Sequence, residues 1–423
     1  MLFSSSRIAH VVAREILDSR GNPTVACRVT LASGASAEAK VPSGASTGSH
    51  EALELRDGGK RYGGKGVQKA VRNANEKIFR AVRNMDARRQ QDIDRIMREL
   101  DGTENLAKLG ANATLAVSLG VARALAAHRR IPLWRSLRHT YRFDRDASLP
   151  VPTMNVLNGG AHADWSLDVQ ECMILPRQRS FAERVRAGSE TFHALAKLIK
   201  ARGFTTTVGD EGGFAPKLAN VEEAFDLLVE AIGAAGYVPG KDIALATDVA
   251  ASEFYAKAKK LYRFKAEGRD FTASELLGRY ASWQRRYPIR FIEDPFAEDD
   301  WKAWKACVPV LRKKSLIVGD DFFVTNVKRL ERGIREKAAT AILIKPNQIG
   351  TLTATVDAIR MAQDAEFAVT ISHRSGETDD TTIADLAVAC GAEHIKTGSL
   401  SRSDRVEKYN RLMAIETELT KRR

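Results

Sequence analysis

One pattern recurs through the second two-thirds of the chain: a short apolar run stops at a charged residue, and a longer stretch of helical spacing follows. Ile243–Thr247 stops at Asp248, Ile289–Ile292 at Glu293-Asp294-Pro295, and Leu316–Val318 at Gly319-Asp320-Asp321. Ala341–Ile344 stops at Lys345, Phe367–Ile371 at Ser372-His373-Arg374-Ser375, and Glu393–Ile395 at Lys396-Thr397-Gly398. Short runs rich in β-branched residues predict buried strands. Two earlier runs, Pro152–Gly160 and Asp168–Leu175, bring the total to about eight, as a closed (β/α)₈ barrel requires. The pattern therefore predicts an α/β barrel over residues 141–423, with its chemistry at the C-terminal ends of the strands, where the charges sit. An open doubly wound sheet is the competing architecture, and no Gly-x-Gly-x-x-Gly after an early strand supports it.

Upstream the pattern changes. Residues 8–29 hold two strand-like runs around Gly21-Asn22-Pro23, a hairpin signal, and Ala35–Val41 can add a third strand. Gly66–Met85, Gln90–Leu100 and Ala111–Arg130 carry helical spacing. Strands followed by helices predict a smaller α+β domain over residues 1–140, and polar Tyr141–Pro150 makes a junction. Between them lies Ser43-Gly44-Ala45-Ser46-Thr47-Gly48, either a plain surface loop or a lid whose hydroxyls and amides close over a metal or phosphate. Helical stretches Ser180–Arg202 and Val221–Ala235 flank a glycine-framed acidic turn, Gly209-Asp210-Glu211-Gly212-Gly213.

Composition narrows the class without deciding the function. The formal net charge of +13 comes from scattered Lys and Arg, with no basic run interleaved with aromatics, which argues against nucleic acid. A positive field that draws in an anionic substrate is one reading, and a basic surface without special purpose is another. Four separated cysteines predict packing thiols in a reducing compartment. No apolar core follows Met1-Leu2-Phe3 to make a signal peptide, and no apolar run has the length of a membrane span. The expectation is a cytoplasmic protein.

If the barrel forms, Asp248, Glu293 and Asp320 converge from successive strands. Three buried carboxylates repel one another and would take up protons unless a cation sat among them, and an all-oxygen site suits Mg²⁺ better than zinc. The alternative is three acidic strand ends in water or paired with Lys345 and Lys396. Arg374 with Ser375 suits a phosphate or carboxylate. Lys345, near Lys396 and a metal, would have its proton affinity lowered and could act as a general base, with Glu171 and Glu211 able to supply an acid. A base facing an acid across a metal-bound anion points to removal of a proton α to a carboxylate with loss of a β-substituent.

These residues resemble the enolase family. The likeness rests on the Ser43–Gly48 loop, Gly209–Gly213, Ile292-Glu293-Asp294, Lys345 with Asn347-Gln348-Ile349-Gly350, Ser372-His373-Arg374-Ser375-Gly376-Glu377-Thr378 and Ile395–Ser399, and it runs from about Ala13 to Glu416. The resemblance implies a barrel that begins β-β-α-α, so ββαα(βα)₆, behind a smaller N-terminal domain. It implies reversible dehydration of 2-phosphoglycerate to phosphoenolpyruvate in glycolysis and gluconeogenesis. Asp248, Glu293 and Asp320 match ligands of a first Mg²⁺, and Ser46 matches a ligand of a second that arrives with substrate. Lys345 matches the base and Glu211, supported by Glu171, the acid. His162, Gln170, Ser372, His373, Arg374, Ser375 and Lys396 match substrate contacts, Lys396 also holding the doubly charged intermediate with both metals. A homodimer or higher homo-oligomer is implied.

The chain departs from the family pattern in places. Pro346 follows Lys345 where a large apolar residue is usual. Trp165 and Cys172 stand for the usual Asn and Phe, and Thr247 and Val249 flank Asp248. Ala26 and Ala414 replace a Glu and an Arg that pair across the family's dimer interface, so both partners are lost together and the expected interface is weaker. Besides the lyase, two readings stay open: a paralogue with slow or altered lyase activity, and a non-catalytic binding protein that kept the fold.

Overall fold

The computed structural model describes residues 5–44 and 48–420. The chain forms two compact units, one of residues 1–148, 344–360 and 373–391, the other of residues 149–343, 361–372 and 392–423.

In the first unit β1 (Ile8–Leu17), β2 (Pro23–Leu31) and β3 (Ser36–Lys40) form an antiparallel sheet in that order. The predicted hairpin turn is closed by Asp18, whose carboxylate accepts the N–H groups of Arg20 and Asn22 at 2.9 Å each. The Ala111–Arg129 helix packs on β2 and β3. Its residues are small or apolar nearly all round, as expected of a helix covered on most sides. Gly120 permits the approach, since a Cβ there would lie 2.7 Å from Val29. The stretch predicted as one helix over 66–85 runs from Gln68 to Val82 and widens to a π-helix at Asn73–Ile78. In that stretch Asn75 accepts the Ala13 N–H through Oδ1 and donates from Nδ2 to the Ala13 carbonyl, and Asn73 donates to the Lys108 and Leu109 carbonyls. A helix at Leu133–Tyr141 was not foreseen.

The second unit is built on a closed eight-stranded barrel. It opens with β4 (Val151–Asn158), β5 (Glu171–Pro176) and β6 (Ile243–Asp248), where β5 runs antiparallel to both neighbours. The predicted strand over 168–175 therefore starts three residues late. Asp168 instead turns its carboxylate to the amides of Ala266 and Glu267. A small antiparallel sheet follows, β7 (Tyr255–Ala256), β8 (Leu261–Phe264) and β9 (Arg269–Phe271), in strands too short to show an alternation. The barrel closes through β10 (Ile289–Glu293), β11 (Leu316–Gly319), β12 (Ala341–Ile344), β13 (Ala368–Ser372) and β14 (His394–Lys396). Its packed centre is Met173, Leu175, Ala244, Ala246, Phe291, Val318, Ala341 and Leu343, large and small side chains alternating as a tapered barrel needs. Helices between strands start at short polar caps: Ser180, Asn220 and Thr272 each accept an amide two or three residues into the helix.

Asp101 ends the Gln90–Asp101 helix and is fully buried. Its carboxylate accepts the amides of Thr103, Lys108 and Leu109 and the Thr103 hydroxyl. Burial raises its proton affinity, but those bonds outweigh it and hold the carboxyl below the ordinary range. Replacement by Ala should cost about 2–3 kcal/mol at pH 7 by stranding buried donors. Because the folded carboxyl is the stronger acid, its contribution is present above about pH 4 and fades as pH falls through the lower folded value. Thermal unfolding of wild type and Asp101→Ala at stepped pH should show the gap closing only on the acid side.

Candidate active site

The register of three neighbouring strands sets up the site. Glu171 pairs with Asp248 across β5 and β6, and Asp248 pairs with Glu293 across β6 and β10, so three carboxylates form one rung. Lys396, the last residue of β14, sends its ammonium among them, with Nζ 2.8 Å from Glu293 Oε1, 3.0 Å from Asp248 Oδ2 and 3.0 Å from Glu171 Oε1. All four side chains are buried. Burial alone would strip the amine of its proton, but Asp248, Glu171 and Glu293 reverse this and raise its proton affinity well above the ordinary lysine value. Glu171 shifts the other way from a normal carboxylate. Burial and then the Glu211 charge push its pKa well up, against Lys396.

Beside this rung stands a second group, His162, Glu171 and Glu211, whose ligand atoms lie within 4.8 Å of one another. His162 Nδ1 is 3.6 Å from Glu211 Oε1 and 4.0 Å from Glu171 Oε1, and Asn155 Nδ2 donates to Glu211 Oε2 at 3.0 Å. Burial lowers the imidazole pKa, with Glu211 opposing. The glycines around Glu211 are required by space: a Cβ at Gly212 would meet the Ser401 carbonyl at 2.6 Å and one at Gly213 the Asn158 side chain at 2.8 Å. Gln170 donates from Nε2 to Asp248 Oδ2 at 3.2 Å.

Asp320 joins a third group, with Asp294 and Asp321. Asp294 has a left-handed backbone (φ 40°) and accepts the amides of Asp320 and Asp321 at 2.9 and 2.8 Å. Burial, followed by Asp321, Asp320, Asp248 and Glu293, drives its pKa well up. Asp248, Glu293 and Asp320, predicted as one metal trio, are not among the described triads within 4.8 Å, and the first two face Lys396. The donor chemistry still fits a hard divalent cation. The set is all oxygen, carboxylates outnumber amines, and Glu171 Oε2 and Gln170 Oε1 are buried without a hydrogen-bond partner. Asp248, Glu293 and Asp320 are the side chains that would hold it.

Of the remaining predicted residues, Lys345, His373, Arg374 and Ser375 belong to the first unit and Ser372 to the second. Lys345 follows β12 with an extended backbone (φ −123°, ψ 105°), the geometry a following proline requires, and Pro346 then opens a 3₁₀ turn to Gln348. Arg374 donates from Nη1 and Nη2 to the Glu51 carboxylate at 2.9 and 3.1 Å, and from Nη1 to Asn347 Oδ1 at 3.1 Å. Arg20 Nη1 donates to Ser375 Oγ at 3.2 Å and Nη2 to the carbonyls of Ser43 and Gly44. Ser372 ends β13 opposite Lys396, and His373 is buried. Ser46 lies outside the described residues.

Sequence reasoning passed over Asp294, Asn155, Glu51 and Arg20. Asp294 sat inside a quoted acidic run and could have been found, since it precedes a proline at a strand end. Glu51 stands 323 positions from Arg374, and nothing in the local pattern links them.

Two family models match the chain, "Enolase, N-terminal domain" over residues 8–137 and "Enolase, C-terminal TIM barrel domain" over residues 146–423. A curated protein named enolase from Bdellovibrio bacteriovorus is 53% identical over 416 residues, covering 98% of this chain and 97% of that one. Among the described residues no helix is long and apolar enough to cross a membrane.

Lys396→Met tests the charge balance directly. It leaves Asp248, Glu293 and Glu171 buried without their cation, which should cost about 3–5 kcal/mol in urea unfolding in the presence of a chelator. Added Mg²⁺ should recover more stability in the variant than in wild type, and a variant as stable as wild type under chelation would refute the balance.

Proposed function

Because the chain belongs to the enolase family, we propose that it is a hydro-lyase that reversibly dehydrates 2-phosphoglycerate to phosphoenolpyruvate. The observation that carries this reading is the buried carboxylate rung with the Lys396 ammonium set among it, beside the His162–Glu171–Glu211 group. In this reading Lys345 removes the proton α to the substrate carboxylate. Glu211 gives a proton to the departing β-hydroxyl, which leaves as water, and Glu171, whose raised pKa favours a shared proton, resupplies it. Lys396 holds the negative charge that builds on the carboxylate. Arg374 and Ser375 take the phosphoryl group, and His162, Gln170, Ser372 and His373 orient the rest. Asp248, Glu293 and Asp320 would hold Mg²⁺, with Ser46 on a second ion that arrives with substrate. Bound there, the metal would withdraw electron density from the carboxylate and make the α-proton more acidic.

The slow or altered lyase draws on Pro346 and Trp165, beside the base and beside His162. The assay that separates the readings is ultraviolet absorbance of phosphoenolpyruvate, followed with and without Mg²⁺. Metal-dependent turnover supports the lyase, and none in the metal-replete protein overturns it. Lys345→Ala and Glu211→Gln should each lower kcat by about 10²–10⁴, and an undiminished rate in Lys345→Ala would exclude that residue as base.

We assign the protein to the cytoplasm and to a homodimer in which Ala26 and Ala414 replace the family's ion pair. Val12 and Leu17 on edge strand β1 are 59% and 55% exposed, apolar surface that a second copy could cover. Light scattering across a dilution series should give a dimer that dissociates at lower concentration, and a monomer throughout would refute the dimer.

A further inference from the structure

We propose that Trp165 is a positioning residue for His162, held in place by the Lys265 ammonium stacked on its ring. The claim that His162 then meets substrate rests on the proposed lyase reading.

His162 and Trp165 belong to one tight knot. The Gly160 carbonyl accepts the amides of Ala163 and Trp165 at 3.3 and 2.8 Å, the Gly159 carbonyl accepts the His162 amide at 3.1 Å, and the Gly160 amide donates to Leu167 at 2.8 Å. Gly160 is itself fixed, with φ 48° and room for a Cβ only 3.2 Å from Gln170 Cα. A shift of the indole is therefore passed to the imidazole through two adjacent peptide units. Asp164 and Trp165 are consecutive left-handed residues (φ 49° and 57°), a conformation that costs a large non-glycine residue energy and that contacts outside the turn help to hold.

Those outside contacts come from the β8–β9 turn. Lys265 Nζ lies 3.7 Å from the centroid of the Trp165 ring. Asp168, at the other end of the knot, accepts the amides of Ala266 and Glu267 at 2.8 and 3.1 Å. The turn is a firm support, because Glu267 bonds Arg279 at 2.6 and 2.7 Å and Arg279 also binds Glu222. The same knot carries His162 against Glu171 and Glu211. An aromatic ring at residue 165 thus gives the lysine something to grip that a small polar side chain would not. The clamp serves binding geometry, so its loss should appear in KM before kcat.

The test compares Lys265→Met and Trp165→Phe with wild type. Hydrogen exchange of the His162 and Trp165 amides in the ligand-free protein should quicken about 3–30-fold in Lys265→Met, with the melting temperature unchanged. The KM for 2-phosphoglycerate should rise by a similar factor while kcat stays within about twofold. Trp165→Phe keeps a ring under the lysine and should stay near wild type in both readouts, whereas Trp165→Leu, which fills space without a π face, should match Lys265→Met. Unchanged exchange in Lys265→Met overturns the clamp, and faster exchange with unchanged KM overturns the positioning role. Absence of turnover in wild type would sink the lyase reading alone, and the exchange comparison would still decide the clamp.

Discussion

Everything at the mouth of the barrel follows from the cost of burying like charges together. Glu171, Asp248 and Glu293 share a buried rung, and Lys396 is the cation placed among all three. A buried carboxylate without a partner would neutralise itself by taking a proton, and Glu171 and Asp294 are pushed in that direction. The balance is struck by strand direction. In a fully parallel barrel the first residue of a strand lies at the opposite end from the last residues of its neighbours. Because β5 runs antiparallel, its first residue, Glu171, comes level with the last residues of β6 and β10. The irregular start of the barrel is thus a chemical device, which adds one carboxylate to the rung that Lys396 must hold.

The first unit meets the same problem with an arginine. Arg374 is buried, and its guanidinium is spread over the Glu51 carboxylate and the Asn347 amide oxygen. Arg20 ties Ser375 to the backbone at Ser43 and Gly44, and the close packing of Arg20 and Asp18 over Gly376 leaves no room for a side chain there. Planar forks of this kind fix direction as well as charge. The chain entering the Ser43–Gly48 loop and the chain leaving β13 therefore have defined positions on one another.

Much of this was legible because barrel strands announce themselves twice, by an apolar run and by the charge that ends it. Asp248, Glu293, Lys345 and Lys396 could be placed at strand ends from that signal. The grouping was harder to read. Asp320 looks equivalent to Asp248 and Glu293 along the sequence, and nothing there shows that it also stands with Asp294 and Asp321, since two consecutive amides after β11 turn onto the Asp294 carboxylate. The small sheet β7–β9 left no trace because two to four residues are too few to alternate. Asp168 reads as the start of a strand by its position beside Val169. Its carboxylate, however, is worth more to the β8–β9 turn than its backbone would be to the ladder.

The two lysines at strand ends stand in different settings. An amine can accept a proton only if it spends part of its time without one. For Lys396 three carboxylates within 3.0 Å outweigh burial and raise its proton affinity well above the ordinary lysine value. That favours holding a growing negative charge over accepting a proton. Lys345 belongs to a different setting, on an extended residue locked by Pro346 before a 3₁₀ turn. Proline there removes one backbone donor and narrows the backbone of the residue before it, which fixes the point and direction from which the lysine stem starts. A base must reach one hydrogen on one carbon, so a fixed starting point is an asset. In the proposed reaction, proton abstraction is given to Lys345 for its place at the end of β12.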